Sequence, residues 1–142
     1  MSEQLMVSAS LINQKVKFKG TSRSNPEIVL DYTPPIGDGE GYTSLELLLI
    51  SLASCSGTSI TLLLRKMRKD VSGLKIIAKG NRREQHPTSF DKIILEICLN
   101  SIDAEDSDMD KVLKLSEESI CPVWNMLKNN VEIICKYKIL RD

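Results

Sequence analysis

The stretch Ser51–Ser59, SLASCSGTS, lies inside a run of leucines, with Leu47, Leu48 and Leu49 before it and Leu62, Leu63 and Leu64 after it. The run reads as a hydrophobic helix, yet its middle carries a cysteine, Cys55, among serine, threonine, alanine and glycine. Residues three and four apart are neighbours on a helix surface, so Ser51, Leu52, Thr58 and Ser59 surround Cys55. A core helix normally fills such places with bulk. Two readings stay open: the small residues allow close helix–helix packing, or they leave room beside the sulfur for a second chain, a substrate or another cysteine.

Leu45 to Leu64 carries a single charge, Glu46, and Arg65, Lys66, Arg68 and Lys69 come directly after it. That is long enough to cross a bilayer. Its centre, however, holds Ser51, Ser54, Ser56, Thr58 and Ser59, and only Tyr42 lies near one end, so no aromatic belt flanks both ends. A helix buried within the protein is the expected reading, with no membrane partner.

The 142 residues suit one domain with a sizeable core. It is expected to span 1–142, with N-terminal strands and a loop over 1–43 and central helices and C-terminal strands over 44–142. Lys plus Arg and Asp plus Glu number 19 each. A neutral chain makes no general electrostatic case for nucleic acid or an anionic membrane. The opening MSEQLMVSAS lacks the apolar core of a signal peptide. The expected compartment is a reducing cytoplasm, where four cysteines serve more often as thiols than as bridges.

The rest of the chain alternates in short periods. Val16 and Phe18 interleave with Lys15, Lys17 and Lys19, which predicts a strand with one buried face. EIVLDY is a second strand, and TPPIGDGEGYTS, rich in proline and glycine, is a loop. Thr43 or Ser44 caps the long helix, with Glu46 in its first turn, and the cations of RKMRK suit its negative end out to about Lys69. LKIIAKGNRRE places Leu74, Ile76 and Ala78 on one face of a strand; FDKIILEICLN does the same with Ile93, Leu95, Ile97 and Leu99. SIDAEDSD suits a helix cap region, MDKVLKLSEESI and CPVWNMLKN read as short helices, and VEIICKYKIL as a closing strand. Strands on both sides of central helices predict an α+β fold.

Among the cysteines, Cys98 and Cys135 lie in predicted strands and read as small hydrophobes, Cys135 on the face of Val131, Ile133, Tyr137 and Ile139. Cys121 stands directly before Pro122, and proline is favoured at the first position of a helix. A sulfur at the cap position meets free backbone N–H groups and the positive end of the helix dipole, both of which favour a thiolate. A merely tolerated helix start is the equal alternative. Cys55 and Cys121 belong to no CxxC pair and His86 is the only histidine, so no metal is expected. A glycine-rich phosphate loop and a GxSxG elbow are absent, and no cofactor is expected.

Together these residues resemble the OsmC/Ohr family, the osmotically inducible protein C and organic hydroperoxide resistance proteins. LELLLISLASCSGTSITLLLRKMRKDVSGLKI resembles the family's helix signature, of the form ELLLxALxxC. EQHPTSFDKIILEICL resembles its strand pair, and LSEESICPVWNML its second cysteine motif, LSxxxxCPV. The resemblance extends from about Glu27 to the end, and the Glu46-to-Cys55 spacing suits the OsmC-like and YhfA-like branches. It implies a two-layer fold of antiparallel sheets around two central helices, in an intertwined homodimer with its sites at the subunit interface. It implies thiol-dependent reduction of organic hydroperoxides, with Cys55 as peroxidatic thiol, Cys121 as resolving thiol and an external dithiol as reductant. An apolar surround of Leu48, Leu52 and Ile60 would favour alkyl hydroperoxides. The family's glutamate near the helix start matches Glu46, and Arg23, which precedes every other arginine, is the default for its N-terminal arginine. Ser44 stands where a proline is common, and Trp124 at a usually small position. Two other functions remain open: a non-catalytic dimeric module holding a small hydrophobic ligand, and a redox sensor.

Overall fold

The computed structural model describes residues 3–141. The chain divides into two compact units, Met1–Leu48 and Leu49–Asp142. The first holds an antiparallel sheet of β1 (Ser8–Leu11), β2 (Phe18–Thr21) and β3 (Ile28–Leu30), in that order. Leu11, Phe18 and Leu30 face one another across its strands. Phe18 was expected on a buried face; it is exposed. Three short strands with lysines between the apolar positions cannot enclose an aromatic ring on their own.

The loop after β3 is organised by Asp31. Its buried carboxylate accepts the backbone N–H groups of Tyr32, Asp38 and Glu40 at 2.8, 3.2 and 3.1 Å. Burial alone would raise its pKa; those N–H groups, with Lys17 nearby, hold it below the ordinary carboxylate range. Gly37 sits against this clasp, where a Cβ would lie 2.3 Å from the Tyr32 carbonyl oxygen. Asp31, Asp38 and Glu40 bring their carboxylates close together, and Lys15 and Lys17 pair with Asp38 and Glu40. The cluster anchors the loop, with two of its three carboxylates paired to lysines.

Helix α1 (Ser44–Lys66) begins inside a reciprocal cap. The Glu46 N–H donates to the Thr43 hydroxyl at 3.2 Å, and the Thr43 N–H donates to the Glu46 carboxylate at 2.8 Å. The helix stops short of Lys69. Arg68 adopts a left-handed φ of 61°, the Lys69 N–H reaches the Leu64 carbonyl at 2.9 Å, and the Arg68 N–H reaches that of Arg65 at 2.9 Å. This is the Schellman closure, made by arginine at the place glycine usually holds.

The second unit carries a sheet ordered β4 (Gly73–Arg82), β5 (Phe90–Asn100), β6 (Glu132–Leu140). Between β5 and β6 come α2 (Asp106–Leu115), a π-helical turn (Ser116–Ile120) and α3 (Pro122–Leu127). β4 and β5 are antiparallel, but β6 runs parallel to β5, a departure from the expected all-antiparallel sheets. A crossover through two helices has the length a parallel return needs. The alternation of β5 holds throughout, with Ile93, Leu95, Ile97 and Leu99 buried. With Leu52, Ile60 and Leu64 of α1 and Met109 and Val112 of α2, these form the core. Each such burial is worth roughly 1.5–3 kcal/mol.

By length and composition α1 is apolar enough to cross a membrane. Here only Leu52, Ser56, Ser59, Ile60 and Leu64 of its residues are buried, while Ile50 and Leu62 are 48% and 61% exposed. Gly57 faces Ile76 and Leu74 of β4, where an added Cβ would meet Ile76 Cδ1 at an ordinary 3.4 Å. The expected burial of α1 is therefore met along one stripe and not around the helix.

Arg68→Gly should raise stability by about 0.5 kcal/mol. The gain is the left-handed cost of roughly 1 kcal/mol removed at this position, less the extra freedom glycine has in the unfolded chain. Urea unfolding checks it, and a loss of stability would contradict the helix-end assignment.

Candidate thiol site

Two elements bring two sulfurs together. Cys55 lies midway along α1 and is partly exposed. Cys121 is the cap residue of α3, with an extended backbone (φ −81°, ψ 109°) and Pro122 next to it at the first helical position. The π-helical turn places it: the Cys121 N–H donates to the Ser116 carbonyl, five residues back, at 3.0 Å. Such turns insert a residue into a helix and redirect the chain beyond it. Here the insertion ends α2 and points the Cys121 side chain at the new helix. The Trp124 backbone N–H then donates to Cys121 Sγ at 3.5 Å, as the cap reading of the Cys-Pro pair expects. Cys121 is 1% exposed, and the Trp124 side chain is buried beside it in sequence.

The Cys55 thiol lies close enough to that of Cys121, and to the backbone N–H of Val123, for both to act on its titration. Its pKa is raised, first by burial and then by the Cys121 thiol, while the Val123 N–H works the other way. All four cysteines are free thiols. The two thiols are neighbours, but Cys55 in this setting favours its neutral form. A cation near it would be needed to favour the nucleophilic thiolate.

The other sequence-derived residues fall differently. Glu46 uses Oε1 in the cap of its own helix. Arg23 lies in the turn after β2, closed by the Asn25 N–H on the Ser22 carbonyl at 3.1 Å, and has a left-handed φ of 56°. Both belong to the first unit, and the two cysteines to the second. Leu52 and Ile60, expected to surround a substrate, are fully buried in the core. Cys135, expected in the core, is only half-buried; burial, with a smaller push from Glu117, still drives its pKa up to about 12. Cys98 lies between Lys75 and Lys138 in the strand register of the second sheet.

Sequence reasoning did not single out Ser56, Ser116 or Val123. Ser56 is fully buried, with Oγ 3.9 Å from Cys121 Sγ. Its signal was weak: one more small residue in a stretch full of them. The Ser116 carbonyl and the Val123 N–H act through the backbone, which no residue type reveals.

A family model described as OsmC-like protein matches residues 37–136. Protein YhfA of Escherichia coli strain K12 is 29% identical over 123 residues, covering 87% of this chain and 90% of that protein. A crystal structure of a hypothetical protein from Aquifex aeolicus VF5 superimposes with a TM-score of 0.85 at 30% identity, over 97% of each chain. The organic hydroperoxide resistance protein OhrB of Bacillus subtilis shares the fold, with a TM-score of 0.65 at 16% identity over 96% of this chain and 98% of that one. The matched region includes α1 with Cys55 and the Cys121-Pro122 cap, the elements that build the thiol pair. This chain belongs to the OsmC-like protein family.

Proposed function

We propose that this protein reduces organic hydroperoxides with two thiols, Cys55 attacking and Cys121 resolving. The observation that carries the reading is that a partly exposed Cys55 neighbours a buried, backbone-anchored Cys121. The more accessible sulfur is the one a peroxide can reach. The Cys55 thiolate attacks one peroxide oxygen, the O–O bond breaks, and the alkoxide takes a proton and leaves as an alcohol. Cys121 then displaces the hydroxyl of the sulfenic acid as water, forming the disulfide. An external dithiol returns both sulfurs to thiols by exchange. The membership in a family with hydroperoxide resistance neighbours supports the substrate class. A reducing cytoplasm would supply the dithiol.

The raised pKa of Cys55 gives the proposed arginine its task. A guanidinium beside the sulfur would favour the thiolate, and Arg23 is assigned that role, with Glu46 orienting it. Glu46 spends Oε1 on its helix cap and keeps Oε2 without a partner among the described residues.

The reading includes a homodimer. The stripe of α1 that stays uncovered, from Ile50 through Gly57 to Leu62, combines small residues with exposed bulk. That pattern suits a second helix approaching closely. Sedimentation should give twice the chain mass, and Leu62→Glu, which would bury an unpaired charge at such a contact, should return it to one chain. An unchanged mass in that variant would remove this face from the interface.

Peroxide consumption with excess dithiol tests the catalytic reading. Wild type should turn over cumene hydroperoxide faster than hydrogen peroxide. Cys55→Ser should fall to background, and Cys121→Ser should stall after about one turnover. Arg23→Gln should lose tenfold or more, a change of about 1.4 kcal/mol in the barrier. Wild-type consumption no faster than Cys55→Ser would favour a ligand-binding module instead.

A further inference from the structure

Besides Ser51, four hydroxyl side chains lie around Cys55 on α1, and three behave in the usual way for a helix. Ser54 Oγ donates to the Ser51 carbonyl at 3.3 Å, Thr58 Oγ1 to that of Ser54 at 2.9 Å, and Ser59 Oγ to that of Cys55 at 3.2 Å. Ser56 is the exception. Its hydroxyl is fully buried, and its one partner among the described residues is the sulfur of Cys121, at 3.9 Å. A buried hydroxyl that forgoes its own helix's carbonyl has a partner in the neighbouring element that keeps it there.

The consequence lies in the bond's direction. Between a thiol and a hydroxyl either group can donate. Once the sulfur carries charge it can only accept, and Ser56 becomes the donor. The Trp124 N–H already points at the same sulfur at 3.5 Å. Cys121 thus meets two fixed donors, one from each helix, whereas Cys55 meets the single N–H of Val123. Exposure runs the opposite way, with Cys55 partly open and Cys121 1% exposed.

We propose that Ser56 is a positioning residue that makes Cys121 the leaving group when the Cys55–Cys121 disulfide is reduced, so that the external thiol attacks Cys55. This rests on the two-cysteine reading above and adds to it the direction of the reductive half-reaction. One thiolate of the dithiol attacks Cys55 Sγ. A mixed disulfide forms, the Cys55–Cys121 bond breaks, and the electron pair leaves on Cys121 Sγ, which accepts from Ser56 Oγ and the Trp124 N–H. The second thiol of the reductant, deprotonated, then attacks its own partner sulfur. Cys55 leaves as a thiolate, and the reductant departs as a cyclic disulfide. Two electrons pass from the dithiol to the protein, and protons from the reductant's thiols return both cysteines to their neutral forms. Leaving-group stabilisation is one of the terms that set the rate of such exchange.

The test is independent of peroxidase activity, because the disulfide is made with diamide, which oxidises paired thiols directly. The oxidised protein is reacted with dithiothreitol in stopped flow, and a monothiol trap with peptide mass spectrometry locates the mixed disulfide. Wild type should be trapped on Cys55. Ser56→Ala should reduce about five- to tenfold more slowly, the scale of one ordinary hydrogen bond lost, and Ser56→Thr, which keeps the hydroxyl, should recover most of the rate. Diamide oxidation itself should differ by less than about twofold among the three, a split between half-reactions that a general packing defect would not give. A mixed disulfide on Cys121 in wild type, or equal reduction rates with and without the hydroxyl, would overturn the proposal. If diamide forms the disulfide but peroxide does not, the peroxidase reading fails while the role of Ser56 is still decided by the same rates.

Discussion

The hydrogen bond from the Cys121 N–H to the Ser116 carbonyl fixes where the second sulfur of this protein lies. It is a π-type bond, and it ends α2 by swallowing one residue more than an α-helix would. Without that extra residue the chain would continue as α-helix and Cys121 would rotate with it to another face. With it, Cys121 takes an extended backbone, Pro122 can open α3, and the sulfur receives the Trp124 N–H. The nearness to Cys55, the bond from Ser56 and the burial of Cys121 all depend on that placement.

The small residues of α1 then divide their work. Ser56 and Ser59 fill buried positions, and Ser54 and Thr58 return their hydroxyls to the helix. Cys55 is left between the packed stripe and the open one. Its raised pKa shows the cost of that position: burial shields the sulfur but favours the neutral thiol. In the proposed mechanism, the backbone and Ser56 hold the Cys121 sulfur, and the charging of the attacking sulfur falls to another group.

Much of this was legible in the sequence. Strict alternation over Ile93–Leu99 gave β5 its buried face, because a half-buried strand allows no other pattern. The Cys-Pro step gave the cap of α3, since proline's missing N–H fits only the first turn. The reading of Thr43 and Glu46 as helix-start residues likewise became an observed reciprocal cap. The parallel course of β6 was hidden, because its direction depends on a crossover path and not on its own residues. The helix end at Arg68 was hidden too, since an arginine in a left-handed conformation leaves no compositional mark. Ser56 looked like its neighbours until the sulfur 65 positions away came into view. Leu52 and Ile60 looked like a substrate surround and are core.

The most direct test of the two-cysteine mechanism counts thiols by mass spectrometry before and after one equivalent of cumene hydroperoxide. The mechanism predicts the loss of two thiols in a single Cys55–Cys121 disulfide, reversed by a dithiol and absent in Cys55→Ser. An unchanged thiol count, or a disulfide that uses Cys98 or Cys135 in place of Cys121, would contradict it.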